Sequence, residues 1–174
     1  MYKYMLYKNI IKKGRVQMGL DLGFYNVKSK INNIDKYYEK TRIEVFESLN
    51  RDYDKFYKFE EFIPNNLEDD WNIIFLLNTA ITSLKTDGID YSSEYDAKIL
   101  TKKDIEDTIN FLNHDNIATK VLGLKNLVDR ETGLPINVEE YYPKSYWDNI
   151  QVEFKKILNQ FDFNNNTLLL SYSY

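Results

Sequence analysis

The chain offers few side chains for metal or nucleophilic chemistry. Its single histidine is His114, and it contains no cysteine. A thiol nucleophile, a disulfide framework, a cysteine-ligated zinc site and a site built from several imidazoles are therefore excluded. His114 follows a predicted helix, where a cationic ring suits the helix dipole, so we interpret it as a capping or surface residue. The sequence has no Gly-x-Ser-x-Gly, P-loop or dinucleotide-binding pattern, and we expect no catalytic residues, metal or cofactor.

Several carboxylates have a structural explanation in the sequence pattern. Asp69 and Asp70 precede a predicted helix, and acidic residues favour a helix N-terminus. The segment Thr101–Asp104 has the spacing of a capping box, with aspartate in place of the usual glutamate or glutamine. Glu139 and Glu140 are the acidic pair without such an explanation. We therefore name them as candidate binding residues, with a solvated loop as the alternative.

Tyrosine is abundant, at 15 residues, and part of it is placed where it could bind a partner. Tyr141 and Tyr142 follow the acidic pair directly, and Tyr91 and Tyr95 lie in the predicted polar loop Thr86–Lys98. A tyrosine ring offers a large contact area and a hydroxyl group at a small entropic cost. These four residues are candidate binding residues. The alternative is core or rim packing, in which one member of each adjacent aromatic pair faces the core. The adjacent pairs are Tyr37-Tyr38, Tyr141-Tyr142 and Tyr146-Trp147.

The distribution of charge bears on the class of partner. The net charge is −4, and five of the 23 basic residues precede the first acid, Asp21. The rest of the chain therefore carries 27 acidic residues against 18 basic ones. Such a body repels a phosphate backbone, which disfavours nucleic acid and favours a basic protein partner. Neither a secretory leader nor an apolar run of membrane-spanning length is evident, so we expect a cytoplasmic protein without a membrane partner.

The periodicity of the apolar residues predicts an α+β fold. Alternation over Val16–Val27 and Thr167–Tyr174 predicts a strand near each end of the chain, with a fainter one over Tyr2–Leu6. Helices are predicted between them, after Asp70 and Asp104, over Asn116–Asp129, and after the cap-like segment Ser145–Asp148. A helical stripe also covers residues 31–49, and Ile136 with Val138 could form a short strand. We expect an antiparallel sheet of N- and C-terminal strands with four to five helices packed on one side.

Several short segments keep one order along the chain: Met18-Gly-Leu-Asp-Leu22, Ile99–Asp104, Leu134-Pro135, Tyr146-Trp147 and Phe161–Tyr174. In these segments the chain resembles small phage and prophage proteins that open with Met-Gly-Leu-Asp-Met-Tyr-Leu and are often labelled phosphoglycerate kinase. Leu22, Gly23 and Phe24 depart from that opening. The resemblance implies a mobile-element context and a natural start at Met18. The lack of an internal repeat and of a Pro/Gly/Ser-rich linker predicts a single domain over residues 18–174. Residues 1–17 would then be an extension or an edge strand. The resemblance supplies no activity and no functional residues.

Three functional hypotheses follow from these observations. The leading one is a small, non-catalytic binding protein of a phage or mobile element that antagonises a host defence or a rival factor. Its partner would be a protein, and a basic one, because the body of the chain is acidic. The second is a toxin-immunity protein that binds one cognate toxin. The third is a protein or small enzyme that binds or sequesters a nucleotide by stacking on tyrosine.

Overall fold

A four-stranded antiparallel sheet organises the chain, and its strand order is β2-β1-β4-β3. The strands are β1 (Asp21–Val27), β2 (Glu60–Phe62), β3 (Ala97–Leu100) and β4 (Thr167–Ser173). The computed structural model describes residues 21–67, 70–81, 97–124, 126–129 and 131–173. Strand β1 pairs with β4 over all seven residues, from Asp21 opposite Ser173 to Val27 opposite Thr167. The predicted α+β fold with paired N- and C-terminal strands is confirmed. The extension 1–17, the strand Tyr2–Leu6 and the start of Val16–Val27 lie outside the described residues.

The helices surround this sheet on two faces. They are α1 (Ile34–Lys36), a π-helical turn (Tyr37–Thr41), α2 (Arg42–Ser48), α3 (Tyr53–Phe59), α4 (Trp71–Ala80), α5 (Lys102–Phe111), α6 (Ile117–Lys120), α7 (Val138–Tyr141) and α8 (Lys144–Gln160). Helices α4, α5 and α8 form the main core with Leu22 and Phe24 of β1. The Phe24 ring meets the Phe154 ring of α8 edge to face, with the centroids 6.0 Å apart. None of the helices within the described ranges is both long and apolar enough to cross a membrane.

A second, smaller core lies on the other face of the sheet. Tyr37 and Tyr38 pack there with Val27, Ala97 and Leu169. The expectation that the helices cover one side only is therefore wrong. Its physical reason is visible in β4, where three consecutive leucines, 168–170, place apolar side chains on both faces. Such a continuous apolar run is typical of a strand that is buried on both sides.

The predicted helix starts agree with the structure in two places. The Asp70 carboxylate accepts a hydrogen bond from the Asn72 backbone N–H, at 2.9 Å, and so caps α4. Thr101 Oγ1 accepts from the Asp104 N–H at 3.2 Å, while Asp104 Oδ2 accepts from the Thr101 N–H at 2.7 Å. This reciprocal pair is the predicted capping box at the start of α5. The apolar face predicted for α8 is also buried; it consists of Trp147, Ile150, Phe154 and Ile157.

Other predicted elements differ from the structure. The helix expected over Asn116–Asp129 ends at Lys120, because Val121 is extended and Gly123 has a φ of +95°. The expected strand at Ile136 and Val138 is absent from the described residues, since Val138 begins α7 instead. Helix α8 begins after Pro143, so the segment Ser145–Asp148 lies inside it. Strands β2 and β3 were not predicted; they are three and four residues long, too short to show an alternation.

A buried ion pair connects the helical segment to the edge of the sheet. Arg42 Nε donates to Glu60 Oε2 at 2.7 Å, and Arg42 Nη2 donates to Glu60 Oε1 at 2.9 Å. The Tyr37 hydroxyl donates to the same carboxylate at 3.0 Å. The Arg42 guanidinium also lies 5.3 Å from the ring centroids of Tyr38 and Phe56. Burial lowers the pKa of Arg42, but the Glu60 carboxylate together with Tyr38 and Tyr37 raises it, and the pKa stays above its ordinary value.

Candidate functional site

The predicted binding residues of the acidic and tyrosine-rich segment lie on one turn of helix. Glu139, Glu140 and Tyr141 belong to α7, and Tyr142 follows it directly. We call these four residues the tyrosine surface. Tyr141 is 67% exposed, the largest exposed fraction among the large hydrophobic residues that the structure describes. Tyr91 and Tyr95 lie outside the described residues, so their position relative to the tyrosine surface remains a prediction.

A row of aromatic rings supports Tyr141 from behind. Its ring centroid is 5.2 Å from that of Tyr142, which in turn lies 5.3 Å from Tyr146 and 6.3 Å from Trp147. Trp147 is fully buried, and its indole Nε1 donates to the Tyr142 carbonyl at 3.0 Å. Edge-to-face and tilted ring contacts of this kind stabilise beyond the area that they bury. The exposed ring of Tyr141 is therefore held on a support that reaches the core.

Glu139 and Glu140 have different environments although they are adjacent. Glu139 Oε1 accepts a hydrogen bond at 2.8 Å from the backbone N–H of Thr119, in the first turn of α6. It therefore satisfies one of the N–H groups that a helix N-terminus leaves without an intrahelical partner. Glu140 is exposed to solvent. The acidic pair thus contributes one structural carboxylate and one that is free to face a partner.

The hydroxyl of Tyr146 ties the same region to helix α4. It donates to Asp70 Oδ2, the carboxylate that caps α4, and accepts from Asn72 Nδ2 at 2.9 Å. Burial, and then the hydrogen bond to Asp70, raises the pKa of Tyr146 above its ordinary range. The phenol therefore stays protonated at neutral pH and serves as a hydrogen-bond donor that fixes α8 against α4. This arrangement positions the start of α8, from which the tyrosine surface extends.

A small cleft opens at the other end of α8. Its volume is about 140 Å³. It is lined by Asn26 of β1, by residues 63–65 after β2, and by Glu153, Lys156, Ile157, Gln160 and Phe161 of α8 and its C-terminus. We call it the Asn26 cleft. Its walls therefore combine three segments that are far apart in the sequence.

Two side-chain oxygens on this cleft have unused hydrogen-bonding capacity. Glu153 is only 6% exposed, and its Oε1 accepts from Asn66 Nδ2 at 3.2 Å and from Lys156 Nζ at 2.7 Å. Within the described ranges, Glu153 Oε2 has no hydrogen-bond donor. Asn26 Oδ1 is buried and also accepts no hydrogen bond from the described residues. A buried amide oxygen without a donor costs about 1–3 kcal/mol.

No family model, curated protein or solved structure matches this chain. The residues that the structure describes also contain no group of three or more histidine, aspartate or glutamate side chains that could hold a metal ion. His114 lies after the end of α5, exposed, with its ring centroid 6.0 Å from that of Phe111.

Sequence reasoning did not identify the Asn26 cleft, although two signals were present. Asn26 follows Leu22 and Phe24 at strand spacing, which places a polar side chain on the apolar face of β1. Glu153 lies next to Phe154, beside the apolar stripe of α8. A polar residue on an otherwise apolar face is uncommon, because buried polar groups need hydrogen-bond partners. Such a residue therefore marks a position where a site can lie.

Proposed function

We propose that this protein is a non-catalytic binding protein whose tyrosine surface binds a basic segment of a protein partner. The observation that carries the proposal is Tyr141, 67% exposed and supported by three further aromatic rings. Tyrosine is enriched among the residues that dominate binding energy, because it offers a large rigid area and loses little entropy on binding. A pre-ordered ring lowers the ordering cost further.

The charge around the tyrosine surface supports a basic partner. Residues 139–148, which hold the tyrosine surface and the start of α8, contain three acids, Glu139, Glu140 and Asp148, against one base, Lys144, which pairs with Asp148 at 2.7 Å. Complementary charge accelerates association and disfavours partners of like charge. A lysine- or arginine-rich protein segment fits this surface, and the phosphate groups of a nucleic acid or nucleotide do not.

The partner class that we propose is a factor of a bacterial host or of a rival element, which this protein neutralises by occupying a basic functional surface. The support for this step is the resemblance of residues 18–174 to phage and prophage proteins, together with the acidic tyrosine surface. A cognate toxin as partner would correspond to the immunity hypothesis. A nucleotide retained by the purified protein would correspond to the third hypothesis.

The test is a quantitative capture experiment with matched variants. Wild-type protein, Tyr141→Ala and Val152→Ala are immobilised and exposed to lysate of the native host, and the captured proteins are quantified by mass spectrometry. Val152 is a suitable control because it is 48% exposed and lies on α8, away from the tyrosine surface. A captured basic protein is then purified, and its dissociation constant is measured by calorimetry at two salt concentrations.

We expect one basic protein to be retained by the wild type and by Val152→Ala, and to be lost with Tyr141→Ala. For the purified pair, removal of a central tyrosine should weaken binding by about 2 kcal/mol, or roughly 30-fold. Added salt should weaken it further because the partner is basic. The proposal is wrong if every captured protein is retained equally by the Tyr141→Ala variant. It is also wrong if added salt leaves the affinity of the purified pair unchanged.

A further inference from the structure

We propose that the Asn26 cleft is a binding site for an alkylammonium group, supplied by a small aliphatic amine or by a lysine side chain. This site lies beyond the proposed function, because it shares no residue with the tyrosine surface. The two are at opposite ends of α8, whose 17 residues span about 25 Å. A result at one site therefore leaves the other unaffected.

The Glu153 carboxylate favours a ligand that donates hydrogen bonds. Among the described residues Glu153 Oε2 has no donor, and it is the acceptor that a ligand in the cleft would meet. Asn26 Oδ1 also lacks a donor, but it is buried and becomes available only if the Asn26 amide turns. An ammonium group carries three donors and no acceptor, and it also carries the charge that a carboxylate prefers. A carboxylate or phosphate ligand would instead have to compete with Glu153 for Lys156, the cation of the cleft.

The remaining walls suit a short hydrocarbon chain. Ile63 and Pro64 line one side of the cleft, and Ile157 and Phe161 line the other. Burial of methylene groups against such walls is favourable, while the charged end reaches the carboxylate. The volume of about 140 Å³ is enough for a short aliphatic chain.

Within the protein, Glu153 already binds one ammonium group, that of Lys156. Its Nζ donates to Glu153 Oε1 at 2.7 Å, while half of its side chain remains exposed. An incoming ammonium group therefore shares the carboxylate with an internal cation, and the two repel each other. Removal of the lysine charge should tighten binding, whereas removal of the glutamate charge should weaken it. These opposite effects distinguish the cleft from general attraction to an acidic surface.

The experiment titrates the full chain with n-butylammonium and with two matched probes of the same length, n-butanol and n-butyrate. Binding is followed by calorimetry and by the NMR signals of the Asn26 side-chain amide. The variants are Glu153→Gln, Lys156→Met and, as a control at the tyrosine surface, Glu140→Gln. Circular dichroism confirms that each variant is folded before titration. Cadaverine and an acetylated, amidated Gly-Lys-Gly peptide then distinguish a free amine from a lysine side chain.

We expect saturable binding of n-butylammonium that shifts the Asn26 amide signals, with butanol and butyrate much weaker. Glu153→Gln should weaken the affinity at least tenfold, Lys156→Met should tighten it, and Glu140→Gln should leave it unchanged. If Glu153→Gln does not fold, Lys156→Met decides. The proposal is overturned by absence of saturable binding, by equal affinity for butanol, or by a Lys156→Met variant that binds no tighter than the wild type.

Discussion

The buried pair between Arg42 and Glu60 allows a quantitative test of what holds the helical segment to the sheet. Their side chains are 8% and 7% exposed, and two charge-assisted hydrogen bonds join them. Substitution of Arg42 by methionine keeps much of the side-chain volume but removes the charge. The Glu60 carboxylate then stays buried, and the Tyr37 hydroxyl still donates to it at 3.0 Å.

The expected loss of stability follows from the uncompensated charge. Breaking a buried ion pair by removing one partner costs about 3–5 kcal/mol. For a chain of this size that loss lowers the melting temperature by about 10 °C, at roughly 2–4 °C per kcal/mol. Substitution of both partners, Arg42→Met with Glu60→Leu, removes the buried charge altogether. The double variant should lose only about 1–3 kcal/mol, chiefly because the Tyr37 hydroxyl then lacks an acceptor.

The assay is chemical denaturation followed by tryptophan fluorescence and circular dichroism, with the free energy of unfolding compared in a double-mutant cycle. The coupling free energy between the two positions should be at least about 3 kcal/mol. Lys40→Met is the matched control in the same helical segment. Lys40 and Glu44 are 66% and 60% exposed and 3.7 Å apart, so this loss should stay below about 1 kcal/mol.

Two results would refute the reasoning. One is a destabilisation by Arg42→Met no larger than that of Lys40→Met, which would mean that the carboxylate is solvated in the folded protein. The other is simple additivity of the two single substitutions, which would mean that the side chains do not interact.

Three further predictions concern stability. Burial and the nearby Glu60 carboxylate raise the pKa of Tyr37, so folding favours its protonated form. The free energy of unfolding should therefore fall above about pH 10, by up to about 1.4 kcal/mol per pH unit. Tyr37→Phe should remove that share of the slope in a denaturation series from pH 8 to 11. Gly123→Ala places a Cβ 2.8 Å from the Phe75 ring at a φ of +95°, whereas Gly133→Ala has a φ of +68° and no heavy atom within 4 Å of its Cβ. We expect about 1 kcal/mol of destabilisation for Gly133→Ala and about 1–3 kcal/mol more for Gly123→Ala. Equal melting temperatures of the two variants would contradict the steric argument. Thr101→Ala removes the capping box of α5 and should cost about 1 kcal/mol, while Thr101→Ser should retain most of it in the same denaturation assay.

The elements that the sequence predicts correctly are those whose signal is local. The alternation in β1 and β4, the cap at Asp70 and the amphipathic face of α8 each depend on neighbours within a few positions. The second core was not predicted, because only one ring of the pair Tyr37-Tyr38 was expected to face a core. Both rings are buried, since the Tyr37 hydroxyl donates to Glu60 and the Tyr38 ring lies against Arg42.

The two candidate sites also differ in whether their signal is local in the sequence. Glu139–Tyr142 is a continuous segment, and its composition alone marks it as a candidate binding surface. The structural role of Glu139 became visible only when α7 and α6 were brought together, since Thr119 lies twenty positions earlier. The Asn26 cleft joins β1, the loop after β2 and the end of α8, and no local pattern relates such distant segments.

The position of β4 in the sheet has a consequence for synthesis of the protein in the cell. Residues 167–173 form an inner strand that pairs with β1 on one side and with β3 on the other. During translation, β1 therefore has only the three-residue β2 as a described partner until β4 leaves the ribosome. The backbone edges of β1 and β3 that pair with β4 stay without that partner until then, and such pairing over long sequence separation is slow. Folding of the sheet is thus a late event, and a nascent chain stalled before Thr167 would be a substrate for chaperones or for aggregation.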